Sequence, residues 1–388
     1  MADEHKTPLY VYVCKWKFQL EALKPSNNEE LKKKLLDGIV KGNMAPYYRS
    51  VCDDFGWEMD TALLAAMQEE NNKVVAAFDV SSDADVEVQQ QAWLEKLEYL
   101  ISIGDKDAAL KLAEEKAKDK QFSINSRLEA VFNTFRVHYL YGCNVKEMKN
   151  TIEKTTEMIG DGGDWSSRNR LKAYEAVCNM GLRNYSHAAY LLLDAVSTFE
   201  SYELMDYDSL IWYTVLSCMI ALPRKELKEK MAKHGTLMQA LNANFPELYE
   251  YYDSLYKCHY ADFFKFLASL EGVMKLDPLL HPHYHHYINE MRYRAYSQHL
   301  QAYRSISLQK MASSFGVTSQ FIEEEISQLT AAGRLHCKID AVNAAILSYY
   351  NGDISESSCE KGLLYQNIIK RGDYLLNRLN KLARVIDF

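Results

Sequence analysis

Breaks in the helical pattern recur at nearly even intervals along the middle of the chain. Gly104 in YLISIGDKDAALKLAEE, Gly142 in HYLYGCNVKEMKNTIEK, Gly181 in VCNMGLRNYSHAAYLLLDA and Pro223 in CMIALPRKELKEKM stand 38, 39 and 42 residues apart, and Tyr260 follows 37 residues after Pro223. Between these sites apolar residues recur at steps of three and four, the period of one helix face. Each site joins the end of one apolar helix to the start of an amphipathic one. Helical hairpins spaced this way predict a TPR-like solenoid, in which each hairpin buries its apolar face on the next. The competing reading is an irregular helical bundle.

With 16 Gly and 7 Pro among 388 residues, breakers are scarce elsewhere too, and the chain is expected to be mostly α. That length exceeds what one core usually serves, so at least two modules are expected. Apolar residues make up 48% and charged residues 25%, which excludes wholesale disorder and a disulfide-dense miniature. Eight cysteines without CxxC spacing read as reduced thiols packed in the core. The longest uncharged stretch, Ser209 to Pro223, is too short for a membrane span and reads as a buried helix. MADEHKTPLY lacks the cations and apolar core of a secretory signal, so the protein is expected in cytoplasm and nucleus, with no membrane partner.

Residues 1–90 are expected to form an N-terminal helical extension and linker, and 91–290 the repeats. After the array, SISLQKMASSFG and TSQFIEEEISQLTAAG read as two short helices, the second capped by Thr318 or Ser319 and ended at Gly333. RLHCKID then alternates Leu335, Cys337 and Ile339 against Arg334, His336, Lys338 and Asp340, the period of a half-buried strand, and AILSYY pairs with it across Ala341 to Asn343. Two short helices followed by a β-hairpin describe a winged helix over 291–352. NGDISESSCEKG reads as a loop, and a last helix, about Leu363 to Ile386 within a 361–388 segment, closes the chain.

No catalytic constellation emerges: there is no P-loop string, no GxSxG and no GxGxxG, and IGDGGDW is a turn between hairpins. The histidines of HPHYHH (His281, His283, His285, His286) have the ingredients of a zinc site, yet the spacing matches neither a helical HExxH nor a metalloprotease HxH pattern with Ser and Asp beyond it. No metal and no cofactor are expected. A net charge of −8 and the unpaired run Glu323, Glu324 and Glu325 in the would-be recognition helix argue against nucleic acid.

Two surfaces remain as interface candidates. The wing strand with Arg334, His336 and Lys338 offers an open edge for another protein's strand, against the alternative of a solvated edge. The last helix carries Ile368, Leu375, Leu379, Leu382 and Ile386 at alternating steps of three and four once Gly372 fills the missing position, a stripe for a partner helix unless it folds back on the chain's own core.

The layout resembles the PCI family, whose members build the proteasome lid, the signalosome and translation initiation factor three. NMAPYY, GGDWSSRNRLKAY, STFESYELMDY, AYSQHLQAYRSISLQKMASSFGV, AAGRLHCKID and KRGDYLLNRLNKLARVI carry the resemblance, which covers nearly all of the chain after about residue 28. ELMDY and RGDYLLNRL look more like the proteasome-lid branch than like the closest paralogue, signalosome subunit one. The resemblance implies a non-catalytic structural subunit of the lid of the 26S regulatory particle, supporting ATP-dependent degradation of ubiquitinated proteins. It implies a hetero-oligomer whose partners are other PCI and deubiquitinase subunits of the lid and the ATPase base. The alternatives are signalosome subunit one and a nucleic-acid-binding winged-helix protein.

Overall fold

The computed structural model describes residues 7–23, 28–78, 85–119, 122–142, 144–160, 162–340, 342–348 and 358–386. They form helices α1 (Leu9–Leu23), α2 (Glu29–Lys41), α3 (Ala45–Phe55), α4 (Thr61–Ala77), α5 (Val86–Ile103), α6 (Lys106–Lys118), α7 (Ile124–Gly142), α8 (Val145–Gly160), α9 (Trp165–Gly181), α10 (Tyr185–Val196), α11 (Tyr207–Ala221), α12 (Arg224–Lys233), α13 (Gly235–Asn244), α14 (Pro246–Lys257), α15 (Tyr260–Met274) and α16 (Tyr284–Leu300). There follow β1 (Ser305–Ser307), α17 (Leu308–Phe315), α18 (Ser319–Ala331), β2 (Cys337–Asp340), β3 (Ala345–Ser348) and α19 (Ser358–Ile386). Two compact units result, Met1–Tyr252 with Phe266–Ile288, and Asp253–Lys265 with Asn289–Phe388.

In the first unit every expected break separates two helices: α5 from α6, α7 from α8, α9 from α10 and α11 from α12; Tyr260, in the second unit, opens α15. Successive helices pack as neighbours from α5 through α11, the stacked hairpins that the spacing predicts. Gly104 shows why one break needs glycine. Its φ is 80°, and a Cβ there would sit 2.8 Å from the Cβ of Tyr47. Its amide donates to Ile101 O (3.1 Å), and Asp105 Oδ1 then accepts from the Ala108 amide (3.1 Å), so one helix is closed and the next opened within two residues.

Helix α11, the uncharged stretch, is buried on almost every side, with Leu210, Ile211, Tyr213, Leu216 and Cys218 all in the interior. That is what an all-round apolar helix requires. Its Tyr213 hydroxyl donates to the buried Asp277 carboxylate (2.7 Å), which also accepts from the Leu279 and Leu280 amides (2.9 and 3.1 Å), so the charge is fully hydrogen-bonded. Helices α1 to α4 do not stand apart from the repeats. Val13, Leu20, Leu35, Ile39 and Val51 belong to one apolar cluster with Leu97 and Ile101 of α5 and Val137 of α7.

The second unit is organised around Phe315, whose ring meets Tyr260 (4.8 Å between centroids), Phe264 (5.1 Å), Tyr296 (5.0 Å) and His299 (5.3 Å). Thr318 caps α18, its hydroxyl accepting from the Phe321 amide (3.4 Å), and Gly333 follows in a left-handed conformation. The three strands form an antiparallel sheet in the order β1-β3-β2. One strand differs from the sequence reading: Ser305–Ser307, expected to start a helix, is β1, with buried Ile306 between two exposed serines and Ser307 capping α17. Helix α19 also starts earlier, at Ser358 rather than Leu363, so that 358–362 are helical; 351–357 of the expected loop lie outside the described residues. Cys14, Cys52, Cys178, Cys218, Cys258 and Cys337 are free thiols, while Cys143 and the side chain of Cys359 lie outside the described residues. No described helix is long and apolar enough to cross a membrane.

Gly104→Ala combines a left-handed backbone with a collision against Tyr47. The substitution is expected to destabilise the first unit by about 2 kcal/mol or more, read as a lower urea midpoint with an unchanged denaturant slope.

Candidate interaction surfaces

Strand β3 is central and hydrogen-bonded on both sides, which leaves β2 with one open edge among the described residues. Along it, Leu335 and Cys337 are buried and His336 and Lys338 are exposed, as the alternation predicts. Burial raises the Cys337 thiol pKa, so this cysteine packs as an apolar group rather than a reactive one. Arg334, the third expected member, turns inward. Its guanidinium pairs with Glu290 of α16 (2.6 Å) and lies over the Tyr293 ring (4.2 Å), so it anchors the wing to its own helix. At the wing tip Asp340 Oδ1 accepts from the Val342 and Asn343 amides (3.0 and 3.2 Å), an Asx turn that leaves Val342 93% exposed. An apolar residue inside a turn was the available signal for Val342.

Helix α18 presents Glu323 and Glu324 to solvent, while Glu325 pairs with Arg292 (3.1 Å). Its exposed face is thus carboxylate, the wrong sign for a phosphate backbone.

In α19 every described side chain is exposed, and only Gly372 is partly covered. Ile368, Leu375, Leu379 and Leu382 are 55%, 59%, 63% and 57% exposed. The side chain of Ile386 lies outside the described residues. The apolar face is broader than the expected stripe, because Leu364, Tyr365, Ile369 and Leu376 are equally uncovered. At roughly 25 cal/mol per Å² of apolar surface removed from water, covering this face would favour association.

The histidines do not converge. His281 Nδ1 bonds the Lys275 carbonyl (2.8 Å) and its ring meets Phe18; His283 Nδ1 accepts from Arg183 Nε (2.8 Å); and the His285 ring lies tilted against that of its neighbour Tyr284 (4.1 Å between centroids). Among the described residues no group of three or more His, Cys, Asp or Glu is placed to hold a metal ion. A part-buried charge cluster joins the hairpins: Arg170 of α9 forks onto Glu129 of α7 and onto Glu203 (2.9 Å), and Glu203 also accepts from the Tyr174 hydroxyl (3.0 Å).

Comparison with known proteins matches three segments. A model described as 26S proteasome subunit RPN7 covers residues 60–230, the PCI domain covers 267–349, and the 26S proteasome regulatory subunit RPN7/PSMD6 C-terminal helix covers 365–386. The chain is 40% identical over 365 residues to the 26S proteasome non-ATPase regulatory subunit 6 of Caenorhabditis elegans, an alignment spanning 91% of this chain and 87% of the relative. It is 38% identical over 366 residues to the subunit 6 homolog of Arabidopsis thaliana (92% and 91%) and 28% identical over 382 residues to RPN7 of Saccharomyces cerevisiae (91% and 87%).

Burial, then the Arg183 charge, holds the His283 imidazole below the ordinary histidine value. An unfolded chain therefore takes up this proton first, so the contribution to stability is present above about pH 6.5 and is lost as pH falls through the lowered folded pKa. His283→Asn offers an amide oxygen to Arg183 without titrating. Between about pH 7.5 and 5 its thermal midpoint is expected to fall less than that of the wild type.

Proposed function

The chain belongs to the RPN7/PSMD6 family of 26S proteasome regulatory subunits, and from that membership we propose how it serves as a non-ATPase, structural subunit of the proteasome lid. The uncovered apolar face of α19 carries the reading: a helix with this much exposed Leu and Ile is an assembly element, and it lies in the segment matched by the family's C-terminal helix. In this reading α19 joins helices of neighbouring lid subunits. The open edge of β2 accepts a strand from another PCI subunit, with His336 and Lys338 on the solvent side of the pairing. In the same reading the solenoid faces the ATPase base and neighbouring lid subunits. In this reading the particle works in ubiquitin-dependent degradation in cytoplasm and nucleus, and the exposed carboxylates of α18 favour protein over nucleic acid as the winged helix's partner.

Two experiments test the surfaces separately. In an antiparallel ladder alternate N–H groups of an edge strand point outward, so proline placed singly from His336 to Asp340 will be tolerated by the hairpin at every second position. Variants that keep the wild-type thermal midpoint are expected to assemble poorly into the regulatory particle; normal assembly by all of them would remove β2 as a docking edge. Leu375→Ala with Leu382→Ala should leave the isolated subunit's midpoint unchanged, since neither side chain is covered. At about 2 kcal/mol each, their loss corresponds to roughly a thousandfold weaker incorporation. Undiminished incorporation of the double variant would contradict the assembly role of α19.

A further inference from the structure

The charge on α19 has the opposite sign to the rest of the chain. Residues 358–386 hold six basic and two acidic residues, +4, so the remaining 39 basic and 51 acidic residues carry −12 of the total −8. The cations are also unevenly placed. At about 100° per residue, Leu364, Ile368, Leu375, Leu379 and Leu382 fall within roughly 60° of one another, and Tyr365, Ile369 and Leu376 widen the apolar face on one side to about 140°. Arg371 and Arg378 border the opposite side, next to Leu375 and Leu382, and both are exposed. Past Ile369 and Leu376 the flank holds Asn380 and Asp373 and no cation. From Leu364 to Leu382 the helix thus has one basic edge and one edge without positive charge, while Glu360 and Lys361 stand in the first turn, before the apolar face begins.

A strip of about 140° is wider than the seam of a two-stranded coil. It fits a seat between two helices. A second copy of α19 fits poorly: an antiparallel pair sets Arg371 and Arg378 against the same residues of its mate, and a parallel pair sets them beside Leu376 and Ala383, so neither supplies a carboxylate. Resting on the reading that α19 is an assembly helix, we propose that it lies between two helices of other chains, of which the one along the Arg371–Arg378 edge presents Asp or Glu there and the one along the Ile369–Leu376 edge meets it through apolar and uncharged groups. Charge of this kind sets partner choice and register more than total affinity.

The test is reconstitution of the full-length chain into regulatory particles depleted of their own copy, scored at two salt concentrations. Arg371→Glu with Arg378→Glu is expected to reduce incorporation at least ~tenfold near 0.15 M salt, and Arg371→Gln with Arg378→Gln to reduce it less while flattening its salt dependence. A control reversal on the far side of the helix, Lys370→Glu with Arg384→Glu, is expected to incorporate nearly as well as wild type. Wild-type incorporation by the edge reversal, or an equal loss in the control, overturns the acidic-flank assignment. So does self-association of the free wild-type chain through α19, read by sedimentation and abolished in the edge reversal. Leu375→Ala with Leu382→Ala separates the two levels: if it incorporates normally, the assembly reading fails and the flank assignment with it, whereas if it fails while the edge reversal is normal, only the flank assignment is lost.

Discussion

A helical hairpin has more apolar surface than its two helices can hide from water, so it needs a neighbour on each side. That requirement organises the first unit. Helix α11, lined by α10 and α13, is buried almost all round, and the repeats tolerate this because their junctions are short and locally closed, as at Gly104 and Asp105. The same requirement extends to the start of the chain, where α1 to α4 add their Val, Leu and Ile side chains to the core of α5 and α7. It is unmet in α19. A face of this kind persists in a stable protein only where another surface completes it.

Much of this is legible in the sequence, and the parts that are not share a cause. The junctions at Gly104, Gly142, Gly181 and Pro223 announce themselves because glycine and proline interrupt a three-four pattern in place. The buried nature of α11 and the period of β2 are likewise local signals. Ser305–Ser307 has no such signal, since three residues with one apolar side chain become a strand only by pairing with Ala345–Leu347, far along the chain. Arg334 was legible as a basic residue on an alternating strand, but its commitment to Glu290 and Tyr293 depends on a helix 44 residues earlier. The breadth of the α19 face was hidden by a narrower pattern that already fitted, because a strict three-four stripe leaves out Ile369 and Leu376.

Electrostatics divides the interior from the candidate surfaces. Where charge is buried or partly buried it is bound up: Arg170 is held by Glu129 and Glu203, and Asp277 by a tyrosine and two amides. Removing one partner from such a cluster strands the other, so these residues belong to folding rather than to recognition. Outside, sign is sorted by element, carboxylates on α18 and guanidiniums and ammoniums on α19. Exposed charges of this sort contribute little to stability and much to which surfaces approach each other.

The two proposed contacts divide labour in a way that follows from their chemistry. A strand edge left open among the described residues offers main-chain N–H and C=O groups that any extended segment could pair with, so in this reading β2 contributes hydrogen bonds and orientation but little selectivity. The α19 face selects by shape and by the sign of its flank, yet a single helix bound through one strip can rotate about its axis and slide along its groove. Joined in one chain, each contact raises the effective concentration of the other, which can reach the millimolar range for short connections. The wing then fixes an orientation that the helix alone would leave loose, and the helix confers the partner choice that a bare strand edge lacks.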